Sequence, residues 1–135
     1  MSSVSYFCPA KLNLFLKIVG HKNNYHELES VFSFLDLGDN LEVSASDSFK
    51  IESLGEFGKS LDKENNIFIT ILNFFHKEFN ISKNLNIKIT KNIPISAGLG
   101  GGSSNGAFFI MALNKLFSLG LSIKKLQEIS LNFGS

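Results

Sequence analysis

At 135 residues the chain has the length of one domain, and a 44% hydrophobic content that includes 14 Phe supplies ample apolar surface for a core. A formal net charge of +1 argues against a nucleic-acid-binding surface, which needs a concentrated basic patch. The single cysteine, Cys8, rules out an internal disulfide and fits a reducing cytosol, and no apolar stretch approaches a membrane span or a secretory leader, so a cytoplasmic location away from membranes is expected.

Taken in chain order, Ser5 to Cys8 and Leu12 to Val19 read as two strands, or one strand interrupted at Pro9. Cys8 has apolar neighbours and reads as a half-buried strand residue rather than a nucleophile. Gly20 to Asn24 reads as a polar turn. Glu29 to Leu35 and Asn40 to Ser44 are strand candidates, joined by Asp36-Leu-Gly-Asp39, whose aspartates have turn chemistry. Phe49 to Leu54 is a short strand and Gly55 to Lys63 a loop. Asn66 to Phe79 has helical spacing, with Ile67, Ile71, Leu72, Phe75 and Phe79 on one stripe and Asn65 or Asn66 as the cap. Leu85 to Lys91 returns to strand. Ser104 to Phe117 is a helix with Ala107, Phe108, Met111 and Leu116 among its apolar positions, ended by Gly120. Ser122 caps a last helix whose expected buried side is Ile123, Leu126, Ile129 and Phe133. This order is α+β rather than a regular doubly wound sheet.

Between the last strand and the helix after it lies Pro94-Ile95-Ser96-Ala97-Gly98-Leu99-Gly100-Gly101-Gly102-Ser103-Ser104-Asn105. Four glycines within five positions let backbone N–H groups converge on one point and let a bulky anion approach. A helix N-terminus beyond them adds unpaired donors and partial positive charge. A plain turn capped by a serine needs one or two glycines, so a di- or triphosphate is the expected ligand. The segment is neither of the commonest phosphate motifs. Ser103-Ser104-Asn105 stands where a Walker loop has Gly-Lys-Ser/Thr, and Leu116 to Gly120 lacks the acidic residue of the dinucleotide fingerprint.

Elsewhere the residues are individually unremarked. Lys11 and Asn13, by type alone, are surface residues. His21, His26 and His76 lack partners at metal-ligand spacing. No serine shows nucleophile-elbow spacing.

Together, however, Pro9-Ala-Lys-Leu-Asn-Leu-Phe-Leu16, Asn24-Tyr-His26, Phe32-Ser-Phe-Leu-Asp36 and Pro94 to Asn105 closely resemble the 4-diphosphocytidyl-2-C-methyl-D-erythritol kinases. These lie within the galactokinase–homoserine kinase–mevalonate kinase superfamily. The resemblance implies the N-terminal domain of that fold, a mixed sheet with helices packed on one face, spanning residues 1–135. It implies ATP-dependent phosphorylation of the 2-hydroxyl of a cytidylyl alcohol in nonmevalonate isoprenoid synthesis, with ATP and Mg as cofactors. Lys11 matches the catalytic lysine. Pro94, Ile95, Ser96, Ala97, Gly98, Leu99, Gly100, Gly101, Gly102, Ser103 and Ser104 match the ATP loop, and Ser103 or Ser104 would help place Mg²⁺ or phosphate. Asn66 and Lys91 match positions near the adenine, and Asn13, Tyr25, His26 and Phe32 the side that takes the methylerythritol and cytosine groups.

The resembled kinases place a catalytic aspartate in Gly-Ala-Asp after the last helix, where this sequence ends at Gly134-Ser135. The expectation is therefore the N-terminal part of such a kinase, without its C-terminal domain and inactive as it stands. The apolar side of the last helix favours self-association of such a fragment. Two alternatives stay open: another superfamily enzyme such as a homoserine or mevalonate kinase, disfavoured by Tyr25-His26 and Pro9 to Asn13, and an inert nucleotide-binding fragment.

Overall fold

Alternation of apolar and polar side chains in four extended segments builds a sheet with one wet and one dry face. The computed structural model describes residues 3–22, 25–56, 58, 62–93 and 101–133, and for 11–22, 25–36, 62–66 and 101–103 the backbone alone. The elements are β1 (Ser3–Lys22), β2 (Tyr25–Ala45), β3 (Lys50–Leu54), α1 (Asp62–Phe79), β4 (Leu85–Thr90), α2 (Gly101–Leu116) and α3 (Ile123–Ser130). The sheet order is β1-β2-β4-β3. β1–β2 and β2–β4 are antiparallel, and β3–β4 is parallel. The α+β expectation is met, with a mixed sheet.

The register sorts the side chains into rows. One inward row runs Val4–Val43–Ile87–Ile51 and the next Tyr6–Leu41–Ile89–Ser53. The outward rows include Ser5–Glu42–Lys88–Glu52, in which opposite charges sit directly across from one another on neighbouring strands. Helices cover the inward face. Phe68, Ile71, Leu72 and Phe75 of α1 and Phe109, Ile110, Ala112 and Leu113 of α2 join the sheet residues in one core. Phe68 meets Phe109 edge-on at 5.1 Å. The two helices cross closely at Gly106, where a methyl group would stand 3.1 Å from Ile67 Cδ1.

Several expectations change. α1 begins at Asp62, so Asn65 and Asn66 lie inside the helix rather than capping it, and α2 begins at Gly101, three residues before Ser104. β1 is one strand through Pro9, and pairing with β2 continues to Lys22 opposite Tyr25, so most of the expected turn at Gly20 to Asn24 is strand. The interruption survives as register shifts between Pro9 and Lys11, Asn13 and Phe15, and Ile18 and Gly20. The expected turn at Asp36 to Asp39 lies instead within β2, where Leu35 to Leu37 bulge opposite Ala10 and the Asp39 carboxylate bonds to a distant strand end rather than to its own backbone. On the last helix the Ser122 cap is as expected, its hydroxyl accepting from Lys125 N–H at 3.1 Å. Ile129 is buried there, and Leu126 and Phe133 partly so, but Ile123 is 75% exposed. On α2, Ala107 and Met111 likewise face outward, and with Ile123 they line a shallow apolar groove between the two helices. Asn114 fixes the intervening turn, donating to Leu121 C=O and accepting from its N–H. No helix among the described residues is long and apolar enough to cross a membrane.

Phe75 sits fully buried at the centre of the α1 stripe, in contact with Phe74 and Phe79. Phe75→Ala is expected to lower stability by about 3–5 kcal/mol. Urea unfolding followed by circular dichroism measures it.

Candidate functional site

The third inward row does not continue the apolar series. After Val43 and Leu41 the same phase of β2 reaches Asp39, which lies opposite Cys8 of β1. On the other side, the step beyond the Asn40–Thr90 pair brings Asp39 to Lys91, the first residue after β4. Both side chains are buried, and Lys91 Nζ donates to Asp39 Oδ2 at 2.6 Å. The other carboxylate oxygen accepts two consecutive backbone N–H groups, Asn92 at 2.6 Å and Ile93 at 3.0 Å. Asn92 Nδ2 donates to Gly38 C=O at 3.0 Å. A buried ion pair is tolerable when its remaining lone pairs are satisfied, as they are here.

Glycines let the chains close around this point. Gly55, at φ +90°, lies against Lys91, whose carbonyl oxygen would stand 2.5 Å from any Cβ there. Lys91 N–H donates to Leu54 C=O at 2.7 Å. At Gly38 a Cβ would meet the Phe7 ring at 2.5 Å and Cys8 C=O at 2.6 Å. The stretch from Lys91 to Ile93 is thus held from β2 on one side and from the end of β3 on the other, just before the glycine-rich segment.

Of that segment, Pro94, Ile95, Ser96, Ala97, Gly98, Leu99 and Gly100 lie outside the described residues. Gly101, Gly102 and Ser103 form the backbone of the first turn of α2, and Ser104 is half-buried behind them. No acidic residue stands in that turn. Its leading N–H groups have no partner within a helix, so the donor set suits an anion. Asn105 adds a second sign of an unfilled polar site. It is fully buried, yet neither its Oδ1 nor its Nδ2 has a hydrogen-bond partner. A buried amide left unpaired costs about 1–3 kcal/mol unless water or a ligand meets it. The residues present therefore fit a polyphosphate. Among the described residues no three His, Cys, Asp or Glu side chains cluster.

The remaining candidates are placed by backbone alone. Lys11 pairs with Phe34 and Asn13 with Phe32, so Lys11, Asn13 and Phe32 share one stretch of the β1–β2 hairpin around two register shifts. That stretch begins three residues beyond the Cys8–Asp39 pair. Tyr25 and His26 pair with Lys22 and His21 at the far end, about 30 Å of strand contour away. Asn66 lies in the first turns of α1, and its side chain, like those of the hairpin residues, is outside the described set. Lys91 is described fully. Its ammonium is turned into the core on Asp39.

Sequence reasoning did not find Asp39, Asn92 or Asn105. For Asp39 the signal was available: it shares the odd-numbered phase of Leu41 and Val43, which marks the dry face.

Comparisons with known proteins bear on the family and the fold. The family of GHMP kinases N terminal domain matches residues 66–135. The chain is 38% identical over 128 residues to the 4-diphosphocytidyl-2-C-methyl-D-erythritol kinase of Actinobacillus pleuropneumoniae serotype 5b, covering 94% of this chain and 45% of that one. It is 38% identical, again over 94% of its length, to the Bacillus cereus (strain B4264) enzyme of the same name, of which it covers 44%. The chain thus spans less than half the length of these curated relatives. A crystal structure of 4-(cytidine 5'-diphospho)-2C-methyl-D-erythritol kinase superposes with a TM-score of 0.72 at 26% identity, over 98% of this chain and 46% of that one. Homoserine kinase from Cytophaga hutchinsonii, at 19% identity and a TM-score of 0.66 over 96% of this chain and 40% of that one, shares the fold.

Cys8 reports on the buried pair chemically. Its burial, and then the Asp39 carboxylate, push its thiol from the ordinary 9.0 up to about 12, with Lys91 pulling the other way. The folded chain keeps the thiol proton where the unfolded chain has released it. The associated stability is therefore complete below about pH 9 and lost as pH rises toward 12. Urea midpoints are expected to fall over that window, at most about 1.4 kcal/mol per pH unit from this group. Cys8→Ala should flatten that part of the profile, and native Cys8 should resist iodoacetamide at pH 8 until urea is added.

Proposed function

Since the chain belongs to the GHMP kinase N-terminal domain family, we propose that it is the phosphate-holding part of a small-molecule kinase. The reaction proposed is ATP-dependent phosphorylation of the 2-hydroxyl of 4-diphosphocytidyl-2-C-methyl-D-erythritol. The observation that carries this reading is 38% identity to kinases of that name along 94% of the chain.

The chain's own residues supply a consistent set of roles. The leading N–H groups of α2 and the glycines before them hold the β- and γ-phosphates, and Ser103 or Ser104 adds a hydroxyl ligand. Lys11 brings an ammonium to the attacking hydroxyl, where it stabilises the charge that develops as the phosphoryl group moves. Asn13 and Phe32, on the same stretch of hairpin, meet the methylerythritol end. Tyr25 and His26 take the cytosine, one by stacking and the other by a hydrogen bond to the base edge. Magnesium bound with the nucleotide neutralises phosphate charge. Asn66 and the Lys91 backbone lie toward the adenine. The cytosol, where ATP and magnesium are held, is the proposed location.

The test joins this chain to the remaining part of the Bacillus cereus relative and supplies Mg-ATP with 4-diphosphocytidyl-2-C-methyl-D-erythritol, homoserine or mevalonate. Phosphorylation of the cytidylyl alcohol is expected, and exclusive use of another alcohol refutes the assignment. In the same fusion Lys11→Met should lower turnover on the order of 10²-fold or more with little change in ATP affinity. Unchanged turnover would return Lys11 to a surface role. Gly101→Val places a branched side chain on the first turn of α2 and should weaken ATP binding at least about tenfold, by the loss of close anion approach, in a chain that still folds. Equilibrium dialysis with labelled ATP reads it.

A further inference from the structure

We infer that Asp39 is a positioning residue for the phosphate-binding segment, setting where that segment starts relative to the Lys11 stretch of β1. The inference rests on the phosphate-binding reading above and adds a residue to it. Asp39 touches both halves of the site. Its backbone stands opposite Cys8, three residues before Lys11, and its carboxylate holds Lys91, Asn92 and Ile93, the three residues before Pro94. Two successive N–H groups converging on one oxygen fix the direction in which the chain leaves β4 as well as its position. Asn92 Nδ2 on Gly38 C=O repeats the attachment one residue along β2.

A purely structural role is poorly served by this arrangement. The two neighbouring inward rows are filled largely by apolar side chains, and a buried ion pair is often no more stabilising than apolar side chains of the same volume. An apolar residue at 39 could not accept from Asn92 and Ile93, so the carboxylate does what packing cannot. The Lys91 ammonium makes that carboxylate compatible with the proposed ligand. It cancels a negative charge that would otherwise lie under the entry to an anion site.

The experiment compares the affinities of this chain for Mg-ATP and for adenosine, which differ in the phosphates. Wild type is expected to prefer ATP, and Asp39→Ala, measured well below its melting temperature, to lose at least tenfold of that preference, read as the ratio of the two affinities so that any change at the adenosine end cancels. Asp39→Asn, which keeps an oxygen for the two N–H groups, should lose less than Asp39→Ala. A folded Asp39→Ala with the wild-type preference overturns the inference alone. A wild type that binds both ligands equally removes the phosphate-binding reading and this inference together. Should Asp39→Ala not fold, Asn92→Ala removes only the half-buried amide on Gly38 C=O. About a threefold loss of the ATP preference there supports the inference, and an unchanged preference overturns it.

Discussion

The carboxylate of Asp39, buried where the dry face of the sheet runs out, is the constraint around which the rest of the architecture is arranged. β4 delivers the chain to that point, and Gly55 allows the end of β3 to close over it. From there the chain leads through the glycine-rich segment into α2. Without an acceptor at position 39, the N–H groups of Asn92 and Ile93 would be left without the partner they have here. A local electrostatic requirement and the path of the chain toward the proposed ligand site are thus the same requirement.

The apolar core has a complementary task. α1 and α2 cross closely because Gly106 leaves room for Ile67, and the aromatic contact between Phe68 and Phe109 fills the space beside that crossing. α2 in turn packs on β1 and β2, the strands that carry the hairpin candidates. The helix whose N-terminus faces the proposed phosphate is therefore fixed against the strands that carry Lys11 and Asn13. Phosphoryl transfer is mostly positioning and charge neutralisation, so a rigid relation between these two elements is the main thing such a scaffold contributes.

Much of this was legible in the residues. Strand alternation at Leu85, Ile87 and Ile89, the helical stripe through Ile71 and Phe75, and the Ser122 cap are local patterns, and the structure has them where periodicity puts them. The glycine-rich segment carries its expectation of an anion site by composition. What local reading missed depends on partners far along the chain. Asp39 and Lys91 are 52 residues apart. Beside Gly38, an aspartate has the grammar of a turn, and only its phase with Leu41 and Val43 says otherwise. Ile123 was misread for the opposite reason: helical spacing names a stripe but not how much of it a neighbour covers, and α2 covers Ile129 and stops short of Ile123. The roles of Lys11, Tyr25 and His26 came from resemblance, since a lone lysine or histidine on a strand carries no signal of its own.

The irregularities of β1 also bear on how the molecule keeps to itself. β1 is a 20-residue strand at one margin of the sheet, and a long unpaired margin is a template on which a second chain can add. β3, at the other margin, is short and carries Lys50 and Glu52, an ordinary protection. β1 has a different one. Pro9 removes a donor from its ladder, and the register shifts at Asn13–Phe15 and Ile18–Gly20 each put an extra residue in β1, so its ladder is not regular along its length. The irregularity beside Asn13 is thereby also a guard against aggregation, and smoothing it would leave a longer regular edge.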